Sequence, residues 1–74
     1  MLIDRYDKNG KQIALGDYLL YKGEYPYKAV YDDYLLAIGV ADLSTKTNEF
    51  EFMADWVKED WEYTTYEALY GEVS

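Results

Sequence analysis

Fifteen carboxylates stand against seven lysines and arginines in this chain of 74 residues, with no histidine and no cysteine among them. Nucleophilic catalysis lacks its parts, because Ser44 and Ser74 have no imidazole to activate them. Lys22 and Lys28 lie among tyrosines and acids, without a glycine-rich phosphate loop that would anchor a substrate for a lysine base. Carboxylate pairs occur at Asp32-Asp33 and Glu59-Asp60. Adjacent strand residues point to opposite faces, so neither pair makes an acid–base dyad. The inventory argues against an enzyme.

Metal and cofactor chemistry is equally short of ligands. Zinc is deprived of thiolate and imidazole together. Asp4, Asp7 and Asn9-Gly10 resemble part of an EF-hand loop. Placing Gly10 at its sixth position, however, puts Arg5 at the first ligand and Gly16 at the bidentate glutamate. The motif fails at both anchors, and a hairpin turn is the better use of these residues. No cofactor is expected.

Charge is the feature that remains. The formal net charge is -8. Residues 1–46 hold seven acids against six basic residues, whereas residues 47–74 hold eight acids against Lys58 alone. Crowding like charges costs folding free energy, although a solvated face kept for solubility would look the same. Such a chain is repelled by phosphate backbones and anionic membranes, so direct binding of nucleic acid or lipid is not expected. It suits instead a basic surface on another protein. Glu49 and Glu51 on a strand would stand about 6.6 Å apart. If the region after Trp56 is helical, Asp55, Glu59 and Glu62 share a face, with a rise of about 6 Å over four residues. Both spacings are on the scale of successive phosphates, whose axial rise is about 3.4 Å per strand. With Asp60 and Glu67 these acids form the candidate partner-binding set, and Trp61, Tyr63 and Tyr66 are the candidate aromatic anchors.

The elements that must position these groups read as short strands. Leu2 to Tyr6 alternates and runs into Asn9-Gly10, a hairpin signal that predicts a type I′ turn with both residues at positive φ. Lys11 to Leu15 returns, with Ile13 and Leu15 on one face. Gly16-Asp17 and Lys22-Gly23 punctuate a β-rich run, Tyr18 to Tyr21. Pro26 predicts an edge or a bend. Lys28 to Tyr31 is extended, and Asp32-Asp33 turns it. Tyr31, Tyr34, Leu35 and Ile38 fit a helical stripe, but Gly39 and the short length favour a strand over Tyr34 to Val40. Glu49-Phe50-Glu51-Phe52 alternates cleanly, which predicts phenylalanines on the core side and glutamates in water. The apolar residues Trp56-Val57 and Trp61 to Tyr63 read as further anchors. Thr64-Thr65-Tyr66-Glu67 matches a capping box with Thr64 as N-cap, Gly71 sits where a helix C′ glycine belongs, and a helical turn over about residues 65–70 follows. With no linker or repeat, residues 1–74 form one small domain, mostly β, of about five strands curled into a twisted barrel with a short C-terminal helical turn.

The run Asp7-Lys8-Asn9-Gly10-Lys11-Gln12-Ile13-Ala14-Leu15-Gly16-Asp17, followed by Tyr21-Lys22-Gly23, resembles the start of YopX-like proteins, small proteins of bacteriophages and prophages with an SH3-like barrel. The likeness lies mainly in residues 7–23. It implies that Asn9-Gly10 turns the first hairpin and that Gly16-Asp17 introduces the next strand. Where the family has a branched aliphatic strand after Gly-Asp, this chain has Tyr18-Leu19-Leu20. Phage origin and the acidic tail together lead to one expectation: a non-catalytic inhibitor that mimics DNA to occupy a basic, nucleic-acid-binding host protein such as a restriction or CRISPR nuclease. An interaction or assembly module that could form a homodimer through exposed tyrosines and a sheet edge near Pro26 is the alternative. No charged, apolar leader opens the chain and no apolar run nears the roughly 18–20 residues of a membrane span, so the host cytosol is the expected location.

Overall fold

The computed structural model describes residues 1–71. Its strands are β1 (Leu2–Tyr6), β2 (Gln12–Ala14), β3 (Tyr18–Tyr21), β4 (Tyr25–Asp32), β5 (Ala37–Asp42), β6 (Glu49–Phe52) and β7 (Trp61–Thr64). A 3₁₀ turn at Lys58–Asp60 precedes β7, and the helix α1 (Tyr66–Tyr70) follows it. Strands β3 to β7 build one antiparallel sheet in the order β6-β5-β4-β3-β7, while β1 and β2 pair only with each other. The chain is mostly β with a short C-terminal helix, as expected. The sheet does not close into the expected barrel, because β6 and β7 terminate it on opposite sides.

Register assigns the two faces of the sheet. Trp61 pairs with Tyr21, Leu19 with Tyr27, Ala29 with Val40, and Val40 with Glu51. Partners opposite one another share a face, and residues two apart along a strand do too. One face therefore carries Leu19, Ala29, Val40 and Trp61, which form the core with Ile3 and Ile13 of the β1–β2 hairpin and Met53 of the segment after β6. The hairpin and the 53–60 segment are the second layer over this face. The opposite face carries Tyr18, Leu20, Val30, Ala41, Phe50 and Phe52, with Tyr66 of α1 packed edge-on against Tyr18 at 5.7 Å.

This phase reverses the expectation for β6. The alternation is real, but Glu51 shares the face of Val40, and the phenylalanines lie on the face away from the core. Phe52 is 62% exposed. Phe50 is held flat because Gly39 leaves room for it: a Cβ there would run into the Phe50 ring and the Glu51 carbonyl. Pro26, expected at an edge, sits in the central strand β4. Its carbonyl accepts Leu43 N–H at 3.0 Å, so the side lacking a donor faces just beyond the β4–β5 ladder, which begins at Tyr27 and Asp42. Strand β5 starts only at Ala37. Tyr34, Leu35 and Leu36 form the exposed hairpin tip instead of strand or helix, with Tyr34 and Leu35 N–H both donated to Asp32 Oδ1 at 2.9 Å.

The first hairpin turns at the expected residues by a different geometry. Gly10 N–H bonds Asp7 O at 3.0 Å and Gly10 alone has positive φ, at 82°, so Lys8-Asn9-Gly10 is a three-residue loop rather than a type I′ turn. The Asp7 side chain selects it. Only 1% exposed, it accepts Asn9 N–H at 2.9 Å and Lys11 N–H at 2.8 Å on Oδ1, and Tyr63 N–H at 2.9 Å on Oδ2. The helix cap also shifts by one residue. Thr65, not Thr64, is the N-cap and accepts Ala68 N–H at 3.1 Å, so Glu67 is not the capping-box partner, while Gly71 ends α1 with its N–H on Glu67 O.

Two stability predictions follow from these contacts. Burial by itself raises the Asp7 pKa, but the three N–H donors and nearby Lys11 outweigh it and hold the carboxyl below its ordinary value. The stability this contributes is present above the unfolded carboxylate pKa of about 3.9 and is lost as pH falls through the folded value. Asp7→Asn turns an amide donor toward these N–H groups; it should cost about 2–3 kcal/mol in urea titration at pH 7 and flatten the acid limb below pH 4. Gly39→Ala should cost about 1–3 kcal/mol by forcing Phe50 off its seat, with chemical shift changes centred on β5 and β6.

Candidate functional site

The fold separates the residues that the sequence clusters. Glu49 and Glu51 lie on β6 at one edge of the sheet, and Asp55 follows in the crossing segment. Glu51 and Asp55 line a recess of about 220 Å³, together with Tyr21, Val40, Phe52, Met53, Trp56 and Trp61. Glu59 sits elsewhere, in a wider cleft that it shares with Asp4, Arg5, Lys58 and Trp56. Asp60 is half-buried at the foot of β7, where its carbonyl accepts Lys22 N–H at 2.6 Å. Glu62 pairs with Lys8 at 3.7 Å. Tyr63 lies under the Lys11 ammonium at 4.3 Å. Tyr66 and Glu67 are on α1.

Two corrections result. The region after Trp56 makes only the 3₁₀ turn before β7, so Asp55, Glu59 and Glu62 share no helical face. Strands β6 and β7 end the strand order on opposite sides, although Glu51 and Trp61 line one recess, and the acids divide between that recess, the cleft of Glu59 and the Lys8–Glu62 pair on β7. Trp61, expected as an anchor, is a core residue 8% exposed, and it offers a partner only its part of the recess wall.

What the structure does bring together is an acidic and aromatic patch at the β6 edge. Trp56 stacks on Trp61 with centroids 4.4 Å apart and planes at 5°, anchored by its indole N–H donated to Tyr6 O at 2.9 Å. Tyr21 and Tyr27 pack on Trp61 at 4.9 and 5.2 Å. Tyr27 donates its hydroxyl to Glu51 Oε2 at 3.1 Å. Burial first, then this hydrogen bond and the nearby charges of Glu51 and Asp42, push the phenol far above its ordinary pKa. Among the described residues the ion pairs are Lys8–Glu62 and Lys11–Asp17, so no lysine or arginine lies within salt-bridge distance of Glu49, Glu51 or Asp55. No group of three or more carboxylates there is arranged to hold a metal.

Sequence reasoning missed two contributors to this patch and misplaced two more. Asp42 and Tyr27 join Glu51 through pairing across β4, β5 and β6, a long-range match with no local signal. The alternation of Phe50 and Phe52 predicts core side chains, whereas pairing with β5 puts them on the other face. The hairpin tip exposes Tyr34 at 90% and Leu36 at 75%, the latter at φ 53°. Comparison with family models, curated proteins and solved structures finds no match to this chain.

The Tyr27 geometry makes a pH prediction. A phenol whose folded pKa is raised contributes stability that is present below the unfolded value of about 10 and is lost as pH rises above it. Tyr27→Phe should cost about 0.5–1.5 kcal/mol at pH 7 and should weaken the fall of the thermal midpoint between pH 10 and 11.

Proposed function

We propose that this protein is a non-catalytic inhibitor encoded by a phage or mobile element, which docks its acidic β6 edge on a basic, nucleic-acid-binding surface of a host defence protein of the restriction or CRISPR type. The observation that carries this reading is the set Glu49, Glu51 and Asp55, exposed on one edge beside an aromatic recess and left without a basic partner among the described residues. Carboxylates on a rigid sheet compete for lysines and arginines without first having to order the chain. The indole of Trp56 adds an anchor whose contribution is insensitive to salt. The resemblance of residues 7–23 to YopX-like phage proteins supports the origin, and the lack of nucleophiles supports the non-catalytic role.

This reading narrows the surface to three of the acids first considered, and that narrowing is testable. The triple reversal Glu49→Lys, Glu51→Lys, Asp55→Lys should lower inhibition of DNA cleavage by at least about tenfold, whereas Glu62→Lys with Glu67→Lys should retain it. Duplex DNA added in excess should displace the protein from its nuclease. Full inhibition by the triple variant, or a complex that duplex leaves intact, overturns the reading.

Exposed Phe52, beside half-buried Phe50, favours a second reading, an assembly module that associates through this face. Sedimentation at two concentrations separates the two, since an oligomer held by apolar contact persists at high salt and an ionic complex does not.

A further inference from the structure

The two ends of the five-stranded sheet are finished differently. At β7 the outer backbone groups are occupied: Lys8 N–H bonds Trp61 O at 2.8 Å, and Tyr63 N–H is held by the Asp7 carboxylate. Strand β6 has no such cover among the described residues. Glu49 N–H points back toward the β5–β6 loop, where it bonds Thr45 Oγ1 at 2.8 Å, and the Glu51 carbonyl lies over Gly39 of β5. Backbone groups alternate sides along a strand, so the N–H and C=O of Phe50 and Phe52 point outward, away from the sheet. A bare edge of this kind is a template for another strand.

The side chains determine which strand fits. A second copy pairing antiparallel through β6 must match faces, and each register that pairs three residues of the strand sets Glu51 opposite Glu51 or Glu49 of the other copy. Like charges directly opposite are destabilising. A segment that alternates basic and apolar residues meets neither obstacle. Its lysines or arginines would stand opposite Glu49 and Glu51, next to the recess that Asp55 and Trp56 help to line. Its apolar residues would extend the Phe50–Phe52 pair, whose rings meet edge-on at 5.2 Å.

We propose that β6 is a strand-addition site for an extended segment of a partner protein that alternates basic with apolar residues. This rests on the reading of a basic partner and adds its conformation and register.

The test uses the whole chain and two synthetic octapeptides: one alternates lysine with valine, and the other carries proline in place of each valine. Amide hydrogen exchange followed by NMR should show Phe50 and Phe52 slowed by about tenfold or more with the first peptide, and Glu49 and Glu51 unchanged. The proline peptide should leave all four unchanged. Asp55→Lys, which lies outside the ladder and leaves its pairing intact, should weaken binding of the first peptide, read by Trp56 fluorescence. If both peptides bind equally and Phe50 and Phe52 are not slowed, strand addition is overturned while the acidic-surface reading stands. If neither binds at low salt, both fall. Slowing of Phe50 and Phe52 that grows with protein concentration and needs no peptide would identify a second copy as the occupant and overturn the proposal.

Discussion

One buried carboxylate ties the two layers of this protein together. Asp7 gives up its hydration and receives three backbone N–H groups, two from its own turn and one from Tyr63 across the chain. A charge taken out of water must be fully bonded, and this one leaves no unsatisfied buried side-chain atom behind. Because one oxygen shapes the β1–β2 loop and the other grips β7, the hairpin can lie over the core face in only one way. Ile3 and Ile13 then meet Leu19, Ala29 and Trp61. The same contact closes the outer side of β7, which leaves β6 as the bare end of the sheet.

That asymmetry governs what the charge can do. Eight acids crowd residues 47–74, yet the reversal between Trp56 and Trp61 carries Glu62 into β7, at the far end of the strand order. Glu62 is partly neutralised there by Lys8. The earlier ones remain at β6, where two glutamates also deter the pairing of identical edges. Protection from self-association and attraction for a cationic partner are one electrostatic property seen by two kinds of neighbour.

Features imposed by local backbone geometry were legible in the sequence. Asn9-Gly10, Gly16-Asp17 and Lys22-Gly23 mark real turns, and Gly10, Gly16, Lys22 and Gly23 all take positive φ. The strand Tyr18–Tyr21 appears with the boundaries its residues suggest. Features that depend on distant partners were not legible. Alternation over Glu49 to Phe52 reveals a period but not a phase, and the phase is set across the ladder by Val40 opposite Glu51 and Gly39 opposite Phe52. Pro26 is tolerated in the central strand only because β5 stops short of its nitrogen. The candidate site was half legible for the same reason: its acids are adjacent in sequence, but Tyr27 and Asp42 arrive through the sheet.

A chain this short has material for one covering layer, and it is spent on the face that holds Trp61. The other face must meet water while staying a sheet surface, which favours side chains that are apolar along their length and polar at the tip. Tyr18 does so beneath the Lys28 ammonium at 5.4 Å, and Tyr66 packs against it from α1. Phe50 and Phe52 depart from this pattern, having no hydroxyl to hydrate. Solvation alone gives no reason to place two phenylalanines on the wet side of an edge strand whose outer amides are bare. Contact with another polypeptide does, since it would cover the rings and the backbone groups in one step.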